Sequence, residues 1–514
     1  MPNDEIFAAY KPLRNYLRQL NLIDALATIR SYSQYLWLQK PFPIDVDVHW
    51  DALRQSPRVI NNWELETLAR EIIINSPQFT QARYDLRKQN HLANAINKVK
   101  DFENDLTKIY RGKINVLVEI HRMAHRQFPW QIHGFNKIYL TRYFKIFSYP
   151  ALDKIVKETT GLTTQEIYLL GIATLGVYVT KFSLFYPPEI NLGQDDLDVS
   201  KLDLFLKLFS TDYESLKVKL QSPTERSIDE KFFYYHDSFK IYPLIRINIS
   251  GQDSLICPMP ALLFWRVTNG IYYELCRQSG FDTVFGESFE YYIGEVLEKA
   301  NKDNKFVIYP QEQTQSFNAP KIDWIADQDD AALFIECKTK RLTMPAKVEL
   351  FDSSELEKQL DIIADAALQI YKTIQYYQAG KYKSPKYKYN GSKAIFPIVV
   401  ILEDWFLMGD PLRKVQKKVE EKMKAAQLPV EWLTEKPFTV MSVQEFEHGA
   451  QIIQSRGVKT VMQGKVFDPE KSSWCFDPYL RNSFQDDLNK TIHLFPDDYR
   501  TIFPKKIRED IAGL

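Results

Sequence analysis

Three residues in the stretch KIDWIADQDDAALFIECKTKRL, Lys321 to Leu342, have types and spacing that could do chemistry: Asp323, Glu336 and Lys338. In a strand, residues two apart share a face, so Glu336 and Lys338 point one way while Ile335 and Cys337 point the other. Asp323 stands thirteen residues before Glu336 on an earlier β-rich run, and Gln328-Asp329-Asp330 supplies a turn that sets the two runs side by side. A carboxylate pair on one face of such a hairpin can share a hard divalent cation, which takes a few carboxylates and keeps waters for phosphate oxygens. A lysine beside it can hold or deprotonate a water, since an ammonium releases its proton more readily near positive charge and on burial. The plain alternative is an ion-pair ladder across a hairpin. A second Glu-x-Lys, Glu420-Glu421-Lys422, falls inside a charged helical run and reads as a solvated helix face.

The helical segment ahead, FGESFEYYIGEVL, offers two further acids. Glu290 has Ile293 and Leu297 three and seven residues on, which puts it at the edge of the buried stripe, whereas Glu287 shares its side with Glu290, Tyr291 and Gly294. An inward carboxylate needs a cation or hydrogen-bond donors, so Glu290 is the expected helix acid. Downstream, LQIYKTIQYYQ offers Gln369, Lys372, Gln375 and Tyr376, among which spacing does not choose.

Between Asp365 and Glu403 the chain has no acidic residue, and Lys372, Lys381, Lys383, Lys386, Lys388 and Lys393 alternate there with six tyrosines. Lysines neutralise phosphates and tyrosines stack on bases, so Lys372, Lys381, Lys383, Lys386 and Lys388 are candidate nucleic-acid contacts. The bland counterpart is a solvated loop.

The elements that must position these residues follow from periodicity. KFVIYP, KIDWIAD and ALFIECKTK read as three strands after a helix opening near Gly286. A long helix stopped by Gly380, a strand (AIFPIVVILED), a charged helix and a last strand (PFTVMSV) complete a compact α/β domain over residues 275–450. Residues 1–240 are patterned mostly as helices punctuated by prolines, a recognition or interaction region. Residues 241–274 read as a hairpin (YPLIRINISGQDSLICPMP) and one connecting helix, and residues 451–514 as an aromatic-rich extension that packs on the body. The fold class is therefore α+β, multidomain, with a central mixed sheet in the α/β part.

The chain is long enough for more than one domain and carries 45% hydrophobic and 26% charged residues, which excludes general disorder. Its net charge of zero confines any nucleic-acid surface to a local patch. Four scattered cysteines with no Cys-x-x-Cys make no disulfide framework and fit a reducing cytoplasm. The first residues carry acids and no apolar core of the signal-peptide kind. The uncharged run IYLLGIATLGVYVT, fourteen residues from Ile167, is short for a membrane span. It reads as a buried helix started by the capping box Thr163-x-x-Glu166, so no membrane partner is expected. His121 and His125 have zinc-pair spacing without an evident third ligand and read as part of an exposed basic helix face. Neither a Gly-Lys-Ser/Thr phosphate loop nor a nucleophile elbow is present.

The order helix, three-strand meander, helix, strand with Asp323 followed by Glu336-Cys337-Lys338 resembles the PD-(D/E)xK, or restriction-endonuclease-like, nuclease superfamily over about 275–450. The residue before Asp323 is Ile322 rather than the proline of the family's name. The resemblance implies a Mg²⁺-dependent DNA endonuclease, with Mn²⁺ able to substitute. Its metal would be held by Asp323, Glu336, the backbone carbonyl of Cys337 and Glu290, with Lys338 completing the catalytic set. It also implies a 5′-phosphate product. Analogy with restriction and antiphage defence proteins adds a second protein subunit or homo- or hetero-oligomerisation. The alternatives are a nuclease-like domain that binds nucleic acid or a partner without cutting, and an RNA-directed nuclease.

Overall fold

The structure, a computed structural model, describes residues 2–39, 60–78, 81–110, 116–131, 134–188, 199–224, 226–312, 319–348, 354–382, 385–407 and 409–503. The chain divides into two units, Met1–Ser279 with Asp497–Leu514, and Gly280–Pro496. Together they make a mixed α/β protein with two mixed sheets.

The first unit is largely helical, and its core holds a buried charge network. On α1 (Pro2–Leu17), the Tyr10 hydroxyl donates to Glu71 Oε2 at 2.7 Å. Glu71 belongs to α2 (Asn62–Asn75) and lies fully buried between two guanidinium groups. Arg70 Nε reaches Glu71 Oε1 at 3.1 Å, and Arg226 bonds both oxygens at 2.7 and 2.8 Å. Arg70 continues to Asp237 Oδ2 at 3.3 Å and to the Phe232 carbonyl at 3.1 Å. Although burial pushes the Glu71 carboxyl up, Arg226 and Arg70 outweigh it and hold the group below its ordinary value.

The apolar run at 167–180 forms α3 (Thr164–Thr180), and the capping box is made as read. Glu166 N–H donates to Thr163 Oγ1 at 3.2 Å, and Thr163 N–H donates to Glu166 Oε2 at 2.8 Å. Ile167, Tyr168, Leu170, Leu175 and Tyr178 are buried within the unit, and no single helix among the described residues is long and apolar enough to cross a membrane.

Two short strands lie in the region read as helical, β1 (Ser183–Phe185) and β2 (Ser210–Asp212). They flank the expected hairpin, β3 (Leu244–Ile249) and β4 (Gln252–Ile256), in the order β1-β4-β3-β2. The connecting helix after the hairpin is broken rather than continuous. It runs Pro260–Val267, leaves helical geometry at Thr268 (φ −88°, ψ −99°), and resumes as short turns over Asn269–Ile271 and Tyr272–Leu275. The break is fixed by Arg266, whose guanidinium donates to the carbonyls of Gly270 at 2.5 Å and Ile241 at 3.1 Å. The hairpin and its connection thus belong to the first unit, and the C-terminal stretch is shared between the two.

The second unit begins with α4 (Phe281–Ala300), five residues before the expected Gly286 start. Gly280 supplies the turn at φ +76°, and Gly286 is accommodated within the helix. Five strands follow: β5 (Val307–Pro310), β6 (Trp324–Asp327), β7 (Ala331–Lys338), β8 (Ala394–Ile401) and β9 (Thr439–Ser442). They lie in that order, with β5-β6-β7 antiparallel and β7-β8-β9 parallel. The long helix α5 (Ser354–Gln378) buries Leu360, Ile363, Ala367, Ile370 and Ile374 against the face that carries Ala332 and Phe334. Helix α6 (Asp410–Ala425) lies along α5, burying Val415, Val419 and Met423. Its Lys414, Lys418 and Lys422 form ion pairs with Glu357, Asp361 and Asp365 of α5, so Lys422 joins a helix-to-helix charge ladder, while Glu420 and Glu421 pair with Lys424 and Lys417 of their own helix.

On the opposite face, α4 packs through Gly294, where a Cβ would stand only 2.3 Å from the nearest atom of the Trp324 ring. The Trp324 indole N–H donates to the Glu290 carbonyl at 3.0 Å and locks the contact. Gly294→Ala is therefore expected to destabilise the fold by about 1–3 kcal/mol, the usual cost of overpacking. A urea midpoint equal to that of the wild type would contradict this packing.

Candidate functional site

The register of the β6–β7 hairpin brings the sequence candidates together. Trp324 pairs with Ile335, and the Asp323 N–H extends the ladder to the Ile335 carbonyl at 3.1 Å, so Asp323 faces Glu336 across the strands. Both acids occupy the α5 side of the sheet, the side of Phe334, where apolar packing would otherwise continue. Asp323 Oδ2 accepts the Cys337 N–H at 2.7 Å. Glu336 is 2% exposed; its Oε1 accepts from Lys338 Nζ at 2.6 Å and its Oε2 from Gln369 Nε2 at 3.2 Å.

Gln369 is thus the member of the α5 quartet that reaches the acids, and it also donates to the Lys321 carbonyl at 2.5 Å. Lys372, by contrast, is exposed, and Gln375 and Tyr376 are half-buried.

The electrostatics of the cluster run against its own charges. Burial first, then Asp323, pushes the Glu336 carboxyl up to about 8 despite Lys338. Asp323 is likewise raised, by burial. Glu290 is half-buried and pushed up to about 7 by burial, Asp323 and Glu287, with Lys338 opposing. Glu290 therefore shares the field of the pair, whereas Glu287 is exposed. Burial lowers Lys338, but Glu336 and Asp323 outweigh it and hold the ammonium above its ordinary value. This corrects the expectation that burial loosens its proton. Burial also pushes up the Cys337 thiol, which keeps its proton.

Among the described residues no three His, Cys, Asp or Glu side chains are gathered into a metal-holding group. Two carboxylates plus water and phosphate oxygens are nevertheless the usual complement of Mg²⁺. Asp323 and Glu336 fit that ion by donor chemistry, as buried hard-oxygen ligands whose mutual repulsion a cation would relieve.

The lysine–tyrosine segment separates into two parts. Lys372, Lys381, Lys386 and Lys388 are exposed, while Lys383 lies outside the described residues. Lys393 instead pairs with Asp327 at 2.7 Å. The tyrosines depart from the expectation of base-stacking groups: Tyr371, Tyr377, Tyr382 and Tyr387 are buried in the core beside α5. Tyr371 is engaged inside with the Lys436 carbonyl at 2.7 Å and Tyr377 with Glu312 Oε1 at 3.0 Å, whereas the Tyr387 hydroxyl has no hydrogen-bond partner among the described residues. Tyr382 donates to the Pro320 carbonyl, tying the segment to the chain just ahead of Asp323. Aromatic residues satisfy both a core and a binding surface, and the sequence does not separate the two uses.

In the first unit, His121 and His125 lie in the helix Val116–Gln127 with their Nε2 atoms 3.2 Å apart. His121 and Arg122 are buried, which overturns the reading of an exposed basic face. Arg122 pairs with Glu119 at 2.9 Å and stacks on Tyr234.

Sequence reasoning also missed a group of buried and half-buried ionisable residues on the loops and helices that follow β8 and β9, namely Asp404, Glu445, Lys465 and Cys475. They are scattered over seventy positions, with no local spacing to reveal them. Comparison with known proteins finds no matching family model, no matching curated protein and no matching solved structure.

A carboxyl whose folded pKa lies above its unfolded one binds an extra proton in the folded state between the two values. Through Glu336, stability should be intact below pH about 4.5 and decline as pH rises to about 8 in the absence of divalent cations. Glu336→Gln should flatten that decline by on the order of a few kcal/mol in chemical denaturation at pH 5 and pH 8. Parallel pH profiles for the two proteins would refute the assignment.

Proposed function

We propose that the second unit is a Mg²⁺-dependent nuclease domain of the PD-(D/E)xK kind that hydrolyses phosphodiester bonds in DNA. The observation that carries this reading is the opposed pair Asp323 and Glu336, buried side by side with Lys338 on the same face. Asp323, Glu336 and the Cys337 carbonyl would hold the metal, with Glu290 completing the acidic wall. A bound Mg²⁺ or Mn²⁺ would supply Lewis-acid stabilisation to the phosphoryl oxygens.

The chain's own groups would do the rest. Gln369 orients Glu336 through its 3.2 Å bond. The ammonium of Lys338 is held protonated beside the carboxylates, so its part is to orient an attacking water and neutralise charge on the phosphate. The exposed Lys372, Lys381, Lys386 and Lys388 would follow the nucleic-acid backbone, on a segment anchored through Tyr382 close to Asp323. The helical first unit would recognise what is to be cut or a second subunit, as in restriction and antiphage defence proteins.

One observation favours a second reading, a nuclease-like domain that binds nucleic acid without cutting it. Both Glu336 oxygens are already satisfied internally, by Lys338 and Gln369, as in a structural ion pair.

Incubation of the full chain with plasmid or RNA, in Mg²⁺ or EDTA, separates these readings. Mg²⁺-dependent cleavage of DNA, reduced about 100-fold or more in Lys338→Ala and Asp323→Asn, is the expected result. Equal behaviour of wild type and both variants in every condition would sink the catalytic reading. Preference for RNA would redirect the substrate.

Binding is tested separately. Replacing Lys372, Lys381, Lys386 and Lys388 with glutamine should weaken DNA binding regardless of sequence. It should also reduce the slope of log affinity against log salt by up to about 4. An unchanged slope in a salt-dependent gel shift would remove the lysine segment from the interface.

A further inference from the structure

In the first unit, two separate stretches of sequence bring six cations and one acid together. Residues 14–19 supply Arg14 and Arg18, and residues 81–98 supply Arg83, Arg87, Lys88 and Lys98, with Asp85 the sole acid in either stretch. The fold joins the stretches at Gln19, whose carbonyl accepts the N–H groups of Arg83 and Tyr84 at 3.0 and 3.2 Å. A second tie is the Tyr16 hydroxyl, which donates at 2.8 Å to the carbonyl of His91 on the helix Gln89–Ile109.

The stacked rings of Tyr16 and Tyr84, with centroids 4.4 Å apart, hold the centre of this surface. Each ring carries a cation: the Arg83 guanidinium lies 5.4 Å from the Tyr84 centroid, and Lys98 Nζ lies 5.7 Å from that of Tyr16. Arg83 also donates to Gln19 Oε1 at 3.4 Å. These contacts hold two of the charges in place before a ligand arrives, which lowers the ordering cost of binding.

Arg87 pairs with Asp85 at 2.8 Å, whereas Arg18, Arg83, Lys88 and Lys98 form no ion pair among the described residues. Of these four, Arg18, Arg83 and Lys88 are exposed and Lys98 is half-buried. Elsewhere cations find carboxylates, as the lysines of α6 and the arginines around Glu71 do. Neither stretch carries an exposed large apolar side chain, so the surface lacks the apolar face by which a helix lies in a membrane interface.

Uncompensated cations on a braced surface, with no apolar face beside them, complement a chain of phosphates. We propose that this surface of the first unit binds the phosphodiester backbone of nucleic acid through Arg18, Arg83, Lys88 and Lys98. Contacts of this kind hold a strand without reading its sequence. The surface lies in a different unit from the lysine segment around residues 372–388. It goes beyond the nuclease reading, since a strand held here need not be cut, and its test reads binding rather than cleavage.

The test is a gel shift of the full chain on a mixed-sequence DNA duplex, in EDTA and over a range of salt. Replacing Arg18, Arg83, Lys88 and Lys98 with glutamine should weaken binding about tenfold or more at low salt. It should also reduce the slope of log affinity against log salt by up to about 4. Affinity and slope equal to those of the wild type overturn the proposal, as does binding to phosphatidylserine vesicles with none to the duplex. Arg18→Gln with Lys88→Gln changes only exposed side chains with no described hydrogen bond or ion pair. This pair should reduce the slope by up to about 2, and it decides the matter should the fourfold variant fail to fold. The glutamine replacements at Lys372, Lys381, Lys386 and Lys388 separate the two surfaces. Loss of binding there with none here overturns this surface alone, and the converse supports it while removing the lysine segment.

Discussion

A carboxylate withdrawn from water must find a cation, a set of donors or a proton, and this chain contains buried glutamates that meet the demand in opposite ways. Glu71 lies between the guanidinium groups of Arg70 and Arg226 and stays ionised despite complete burial. Glu336 has one ammonium for company and Asp323 directly opposite, so its charge is incompletely balanced and its proton is retained. The first arrangement completes itself and reads as architecture. The second leaves negative charge without sufficient compensation, and the surrounding fold is arranged to keep it so.

That arrangement is visible in what holds each acid. The hairpin register sets Asp323 opposite Glu336, and the Cys337 N–H fixes one oxygen of the former. The long helix contributes Gln369 from one side of the sheet, while the helix carrying Glu290 is pressed onto the other through Gly294 and Trp324. Strand pairing, helix packing and side-chain hydrogen bonds thus converge on two carboxylates that repel each other. A fold spends such constraint where the strained group has a use.

The period-2 alternation of the β6–β7 hairpin placed Glu336 and Lys338 on one face, and the turn residues brought Asp323 opposite, so this part of the site was legible from local pattern. The half-burial of Glu290 was legible too, from its distance to Ile293 and Leu297. Gln369 was one of four polar residues on the same helix, and only the tertiary fold selects it. The three-residue strands Ser183–Phe185 and Ser210–Asp212 are too short for a pattern to declare itself within helical surroundings. Thr268 broke a helix whose sequence contains no proline after Pro260, through backbone bonds made by Arg266 that no propensity encodes. The tyrosines beside the lysines misled for a related reason, since burial is a property of the packed whole.

The Glu71 network has a bearing on the order in which the chain can be made. The helix that ends at Asn75 is balanced by Arg226, 155 positions beyond Glu71, and by Asp237, 167 positions beyond Arg70. At ribosomal speeds of about 5–20 residues per second, roughly 10–30 s separate the emergence of the acid from that of its second cation. During that interval the helical half cannot bury Glu71 at its final cost. Completion of the Glu71 network therefore waits on synthesis of the segment around Arg226.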